Sequence, residues 1–363
     1  MKRWWFGLLV FAAVLVLGWR QPSLSQLVGP QGVNQQVNQF VDQLVGLFQP
    51  AVAPVSDPAS APRSDPARSP VQQVDLAVEA ERLLSDLEAL TVERYSSQAR
   101  QQARDYIRQQ LEAAGWTVQE QPFENGINLY AERLGSDVAA DTVVLGAHFD
   151  TVEGSPGADD NATAIATLLE AARLFKGASP RTLQLAFFDL EEQGLLGSKV
   201  FVKQLAQPDR LRGAVILDML GYRCTEPGCQ NYPPLPIQPP TDRGDFLAAL
   251  GDQGHPELLA SFTHPAFGQL MPTDKTQPAA SVGLPQVLTL AIPTFGGFAP
   301  DVVRSDHAPF WKAGLGAVLI TDTANFRNPH YHQPSDTIAT IDREFFVGAA
   351  QTVVNAVATL LQN

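Results

Sequence analysis

The chain has 363 residues, 45% of them hydrophobic and only 17% charged, with a formal net charge of −13 at pH 7. That balance excludes a basic nucleic-acid binder, which needs clustered Lys and Arg, and a disordered chain, which lacks this much apolar material. The charge is unevenly spread. Residues 1–72 carry five bases against three acids, net +2, so the remainder carries −15. An acidic body of this kind attracts cations, whether metals or protonated amines.

Lys2 and Arg3 precede an uncharged run, Trp4 to Trp19. A helix of that length spans about 24 Å, short of the ~30 Å bilayer core and long for the ~7–15 residues of a cleavable signal. Trp4, Trp5 and Trp19 mark both ends, where interfacial aromatics belong. The segment 1–20 is therefore read as a signal anchor in preference to a removed signal peptide, and the positive flank predicts export of the rest of the chain. The chain would then face the periplasm or exterior, or be secreted if the leader is cut. Val33, Val37, Phe40, Val41, Leu44, Val45 and Phe48 fall at helical spacing, as in a short amphipathic helix. Gln49 to Pro70, rich in Pro, Ala and Ser, reads as a spacer. Residues 21–70 thus form a connector, and a single catalytic-size domain is expected over 71–363.

Within that domain, helical periodicity covers Val74–Leu90 and Ser97–Ala114, the second closed by Gly115. Strands are predicted at Thr117–Phe123, Ile127–Leu134, Thr142–Ala147, Thr182–Phe188, Ala214–Leu217, Val287–Ile292 and Ala317–Ile320. Helices are predicted at Ala162–Phe175, Gly197–Leu205, Phe246–Phe262, around Pro309–Ala313, and at Phe345–Leu361. Alternating strands and helices imply an α/β domain with a mixed, largely parallel central sheet and helices on both faces.

Ligands in such folds bind beyond the carboxyl ends of the strands, and those places are unusually acidic here. His148-Phe149-Asp150 follows the strand TVVLGA. Asp159, Asp160 and Asn161 open a helix. Asp189, Glu191 and Glu192 follow TLQLAFF, Asp218 follows AVIL, and His330-Tyr331-His332-Gln333-Pro334-Ser335-Asp336-Thr337 precedes the last helix. Singly, each has an ordinary explanation: an Asp before a helix is usually an N-cap, a Glu pair a solvated face. Together they would bury unpaired carboxylates side by side, which is costly. A divalent cation removes that cost, and His nitrogen with carboxylate oxygen suits Zn²⁺ or a similar metal.

These five motifs, in this order, resemble the co-catalytic di-zinc aminopeptidase family, which includes secreted bacterial leucine-type aminopeptidases and has glutaminyl cyclases as relatives. The resemblance spans about residues 95–363. It implies two Zn²⁺ ions, one held by His148 and Asp218, the other by Glu192 and His332, with Asp160 bridging both. It implies that Asp150 accepts the ring N–H of His148, that Glu191 is the general base, and that Tyr331 donates to a developing oxyanion. A cis peptide bond at Asp160–Asn161 is a further implied feature. Ser305-Asp306-His307 also resembles a family segment near the site, although Ser305 could equally be a helix N-cap. His255 and His264 match no ligand position.

The stretch 220–283 is the least family-like and is read as an insertion. It holds both cysteines, Cys224 and Cys229, with Pro227-Gly228 as a turn between them. A disulfide is expected in an exported chain; two reduced thiols are the alternative. The leading expectation is an exported zinc metallopeptidase acting on peptides with a free N-terminus, attached to the membrane by its N-terminal segment and binding no nucleic acid. Two alternatives remain: glutaminyl cyclase-like acyl transfer forming pyroglutamate, and a non-catalytic membrane-tethered binding module, against which the intact Glu191 and the full ligand set argue.

Overall fold

A computed structural model describes residues 76–137, 139–233, 240–263, 283–293 and 300–362. The leader, the amphipathic stretch and the spacer lie outside these residues, as does His264.

The chain enters through two helices, α1 (Ala80–Leu90) and α2 (Ser97–Ala113). The Ser96 side chain caps α2 by accepting from the Ala99 amide, and Gly115, at φ 80°, turns the chain away beyond it, as expected. Eight strands follow: β1 (Val118–Phe123), β2 (Gly126–Arg133), β3 (Thr142–His148), β4 (Leu183–Phe188), β5 (Leu211–Leu217), β6 (Phe246–Asp252), β7 (Gln286–Ile292) and β8 (Ala317–Thr321). Between them lie α3 (Ala164–Leu174), α4 (Leu196–Lys203), α5 (Pro256–Ala260) and α6 (Ala308–Lys312), and α7 (Arg343–Gln362) closes the chain. The sheet order is β1-β2-β4-β3-β5-β8-β6-β7. Its centre, β4-β3-β5-β8, is parallel, as is β6-β7, while β1-β2, β2-β4 and β6-β8 are antiparallel.

The central strands are buried on both faces, which is why they read as unbroken apolar runs without alternation. One face packs against α1, α2, α3 and α7 through residues such as Leu87, Ile107, Leu168 and Phe346. On the other, Phe188, Phe201 of α4 and Phe310 of α6 form a second cluster, with the Phe188 and Phe201 rings edge to face at 5.4 Å. Helix α7 is long and apolar enough to cross a membrane, but 78% of its most apolar window is buried inside the domain.

One expectation is overturned. Phe246–Phe262 is not a helix: Phe246–Asp252 is a strand inserted between β7 and β8, and only Pro256–Ala260 is helical. A short apolar run has no decisive periodicity. Here the interruption by Gly251, Gly254 and Pro256 is the better guide, and a Cβ on Gly251 would lie 2.7 Å from Leu259 Cγ, so α5 folds directly back onto its own strand. The stretch after Asp218 therefore contributes a strand to the same sheet. Cys224 and Cys229 within it are disulfide-bonded, as expected.

Because β4, β3, β5 and β8 run the same way, their carboxyl ends and the residues after them share one edge of the sheet. The entry helix is tied down by Glu170 of α3, which is fully buried. It accepts from both Arg82 Nε (2.8 Å) and Nη2 (2.6 Å) and from the Glu79 amide. Arg82 is 39% exposed, so water takes up part of its charge, and losing these bonds to the buried carboxylate costs about 1–3 kcal/mol. Glu170→Ala is therefore expected to lower stability by that order in urea titration, whereas the exposed-pair variant Arg304→Ala should leave the midpoint nearly unchanged.

Candidate active site

His148 ends β3 and is buried, with its ring clamped from both sides. Nδ1 lies 3.2 Å from the backbone carbonyl of Asp150 and 3.5 Å from its Oδ1. Both are acceptors, so Nδ1 donates, and Nε2 is the ring nitrogen turned to the site, where it could ligate a metal. Nε2 is 3.3 Å from Asp160 Oδ1 and 3.9 Å from Asp218 Oδ1. On the other side, His332 Nε2 lies 3.2 Å from Asp160 Oδ2 and 3.1 Å from Glu192 Oε2. The two oxygens of Asp160 thus face two different imidazoles.

These separations test the fit of a metal. Ligand atoms around a tetrahedral Zn²⁺ at ~2.0–2.1 Å stand about 3.3 Å apart. The His332 contacts are close yet lack hydrogen-bond alignment, as when lone pairs converge on a shared centre. Ligand atoms of His148, Asp160 and Glu192, and of His148, Glu191 and Asp218, each fall within 4.8 Å of one another. The chemistry and spacing of the donors fit divalent cations. The five candidate ligands, with Asp150, Glu191 and Tyr331, are all brought to this edge.

The electrostatics reflect crowding. Burial and the neighbouring Asp306, Asp218 and Glu192 hold the Glu191 carboxyl well above its ordinary range, against the pull of His148. Burial and Asp160 push Glu192 up to about 7. Burial would raise Asp160 too, but His148 and His332 beside it hold it well below the carboxylate range. Tyr331 stacks on the His332 ring (centroids 3.7 Å apart, 21° between planes). Its phenol is kept protonated by burial and by the field of Asp160, Asp218 and Glu192.

Further contacts frame the site, and of the residues that make them Arg94 alone carries no signal in the sequence. Asp150, expected only behind His148, also accepts from the amides of Glu191 (3.0 Å) and Glu192 (3.2 Å), so one residue aligns the imidazole through its carbonyl and the two-glutamate turn through its carboxylate. Asp336 accepts from the amides of Asp159 (2.9 Å) and Asp160 (3.1 Å). The Asn161 amide pairs with strand β5 as a backbone would, donating to Leu217 O and accepting from Met219 N, both at 3.0 Å. The bond between Asp160 and Asn161 is cis, as the resemblance implied. Arg94, fully buried, donates to the carbonyls of Leu90, Val92, Phe149, Pro156 and Gly157. It thereby locks the loop between His148 and Asp160, and burial lowers it to about 10 despite Asp160 and Asp336 nearby. Asp189 faces the other way, toward Arg100 (2.8 Å) and Arg104 (3.1 Å). His255 pairs with Asp252 at 2.8 Å, at the end of β6 away from the site.

Ser305 is not an N-cap: the residue flanking α6 is His307, and its side chain makes no capping bond. Ser305, Asp306 and His307 are buried. His307 Nε2 lies 2.8 Å from Val302 O, an acceptor, so Nε2 is the donor. The Asp306 carboxyl is pushed up to about 7 by burial, with Asp150 and Asp218 adding repulsion. A carboxyl raised in the fold destabilises it increasingly as pH climbs from the unfolded value near ~4 through the folded one. In chelator-treated protein, Asp306→Asn should therefore stabilise the fold, by more at pH 8 than at pH 5 and by a few kcal/mol at most. An equal offset in melting temperature at both pH values would contradict the burial account.

Peptidase family M28 matches residues 128–236 and 277–357. The uncharacterized protein YfbL of Escherichia coli K12 is 33% identical over 71% of this chain and 79% of its own. Leucine aminopeptidase 1 of Arthroderma gypseum is 25% identical over 77% of this chain and 73% of its own. An aminopeptidase from Aneurinibacillus sp. strain AM-1 has the same fold, with a TM-score of 0.61 at 18% identity over 80% of this chain and 96% of its own. With its sheet-edge motifs matched in order and a sequence relative at this identity, the chain belongs to peptidase family M28.

Proposed function

We propose that the chain is a zinc aminopeptidase that hydrolyses the first peptide bond of peptides with a free amino terminus. The observation that carries this reading is Asp160, with Oδ1 toward His148 and Oδ2 toward His332, as a carboxylate shared between two metal positions requires. His148, Asp160 and Asp218 would hold one Zn²⁺, and Asp160, Glu192 and His332 the other. Bound zinc supplies Lewis acidity toward the scissile carbonyl and toward the attacking water, whose pKa it lowers to about 7.

The remaining work falls to side chains. Glu191 takes the proton of the attacking water and returns it to the leaving amine. Burial and the neighbouring carboxylates raise its carboxyl above the ordinary range, which makes its carboxylate the stronger base. The Tyr331 hydroxyl donates to the substrate carbonyl oxygen as charge develops there. Asp150 holds both the His148 tautomer and the turn carrying Glu191 and Glu192 in register. The acidic edge attracts the substrate ammonium. We further propose that this domain works outside the cytoplasm, attached to a membrane through residues 1–20; the leader with Lys2 and Arg3 and the Cys224–Cys229 disulfide support that placement.

The purified chain should cleave aminoacyl chromogenic substrates and free-amine peptides, lose activity to a chelator and regain it with zinc. Glu191→Gln should retain metal by elemental analysis while kcat falls ~10²–10⁴-fold, the usual worth of a general base. Equal cleavage of N-blocked peptides would sink the aminopeptidase assignment, and cyclisation of N-terminal Gln without hydrolysis would replace it with glutaminyl cyclase-like chemistry.

A further inference from the structure

We infer that Arg304 is a positioning residue for the reaction: its guanidinium fixes the Tyr331 hydroxyl beside the metal-ligand cluster and leaves the phenol proton free for the substrate carbonyl oxygen. The inference rests on the hydrolytic reading above.

Arg304 Nη2 lies 3.0 Å from Tyr331 Oη. A guanidinium has donors only, so the phenol oxygen must be the acceptor in this bond. The phenol's own proton is then available elsewhere, and among the described residues no acceptor takes it. The ring itself is stacked on His332. Stacking sets the plane of the ring, and the bond to Arg304 sets where its oxygen sits within that plane.

The guanidinium is itself held, although the side chain is 43% exposed. Nη1 donates to Asn325 Oδ1 at 3.0 Å and lies 3.5 Å from Asp301 Oδ1, and its carbon centre stands 5.8 Å from the Tyr331 ring. The residues on either side of it are bonded: the Ala308 amide to Ser305 O, and the His307 ring to Val302 O. Arg304 therefore links the segment before α6, the turn after β8 and the segment that delivers His332. An exposed ion pair alone adds little to stability. A fork of donors shared among an amide oxygen, a carboxylate and a phenol acts instead on direction. Directional placement is what a donor to a developing oxyanion needs, since a displacement of about 1 Å can cost ~10²-fold in rate.

Three variants test this: Arg304→Met, Tyr331→Phe and the double. Arg304→Met should lower kcat by about tenfold or more with little change in KM, zinc content or melting temperature, because the lost interaction operates in the transition state. Arg304→Lys should recover only part of that loss, having a point charge in place of the fork. The double variant should be no slower than Tyr331→Phe alone, because Arg304 has no hydroxyl left to place. Multiplying losses in the double variant would overturn the inference, as would a loss confined to KM for substrates bearing a carboxylate, which would make Arg304 an anchor for acidic substrates. A crystal structure of Arg304→Met decides the matter without turnover: the Tyr331 hydroxyl should move from its place beside His332, and an unmoved ring would overturn the inference. If the parent cleaves no aminoacyl substrate, the aminopeptidase reading fails while the crystallographic result still decides the role of Arg304.

Discussion

The constraint on which the rest of the structure depends is the crowding of carboxylates at one edge of the sheet. Asp150, Asp160, Glu191, Glu192 and Asp218 meet there with two imidazoles, most of them out of water. Like charges so close cannot all ionise at ordinary cost. The Glu191 and Glu192 carboxyls held above their usual range, and the neighbouring imidazoles raised by the same carboxylates, are the two faces of that repulsion. Divalent cations resolve it, and the remaining task of the fold is to stop the ligands from relaxing apart.

That task is performed mostly by groups that touch no ligand atom. Asp336 grips the amides of Asp159 and Asp160, Asn161 bonds the same turn to the end of β5, and Arg94 ties three carbonyls of the loop from Phe149 to Gly157 to those of Leu90 and Val92. Asp150 joins His148 to the two-glutamate turn. Next to Asp160, Asp159 accepts from Gly221 N and Asn328 Nδ2, each at 2.8 Å, so the segments after Asp218 and before His332 meet at one side chain. Hydrogen bonds of this kind are modest singly, but they oppose one common displacement, the spreading of the ligand edge.

The ligand set was legible because His148, Glu192 and Asp218 each end or follow an apolar run that reads as a buried strand, and strands of one direction deliver their ends to one edge, while Asp160 and His332 stand in recognisable motifs beside them. Asp336 stood within a quoted motif, and its role required only the register that the fold supplies. Arg94 was not legible: in the stretch Glu93–Arg94–Tyr95 it looks like a surface charge, and only the closure of the Thr151–Gly157 loop over it makes it interior. The same holds for Arg304, whose partner lies 27 residues away. The strand at Phe246 reads as a helix for the opposite reason. Its apolar residues suit helix and strand alike, and what decides between them is an open sheet edge that no local pattern records.

The ligand-bearing turns follow β3, β4 and β5 and precede α7, so they come from separated stretches of chain between His148 and His332. No pair of neighbouring elements can assemble the site alone. A metal site assembled in this way would be complete only after long-range strand pairing, the slow part of folding a mixed sheet. Ions held as proposed above would act as a latch on topology, since releasing them and unfolding the sheet would be linked equilibria. A truncated or mispaired chain would be left with isolated carboxylates at its surface and nothing to gather them.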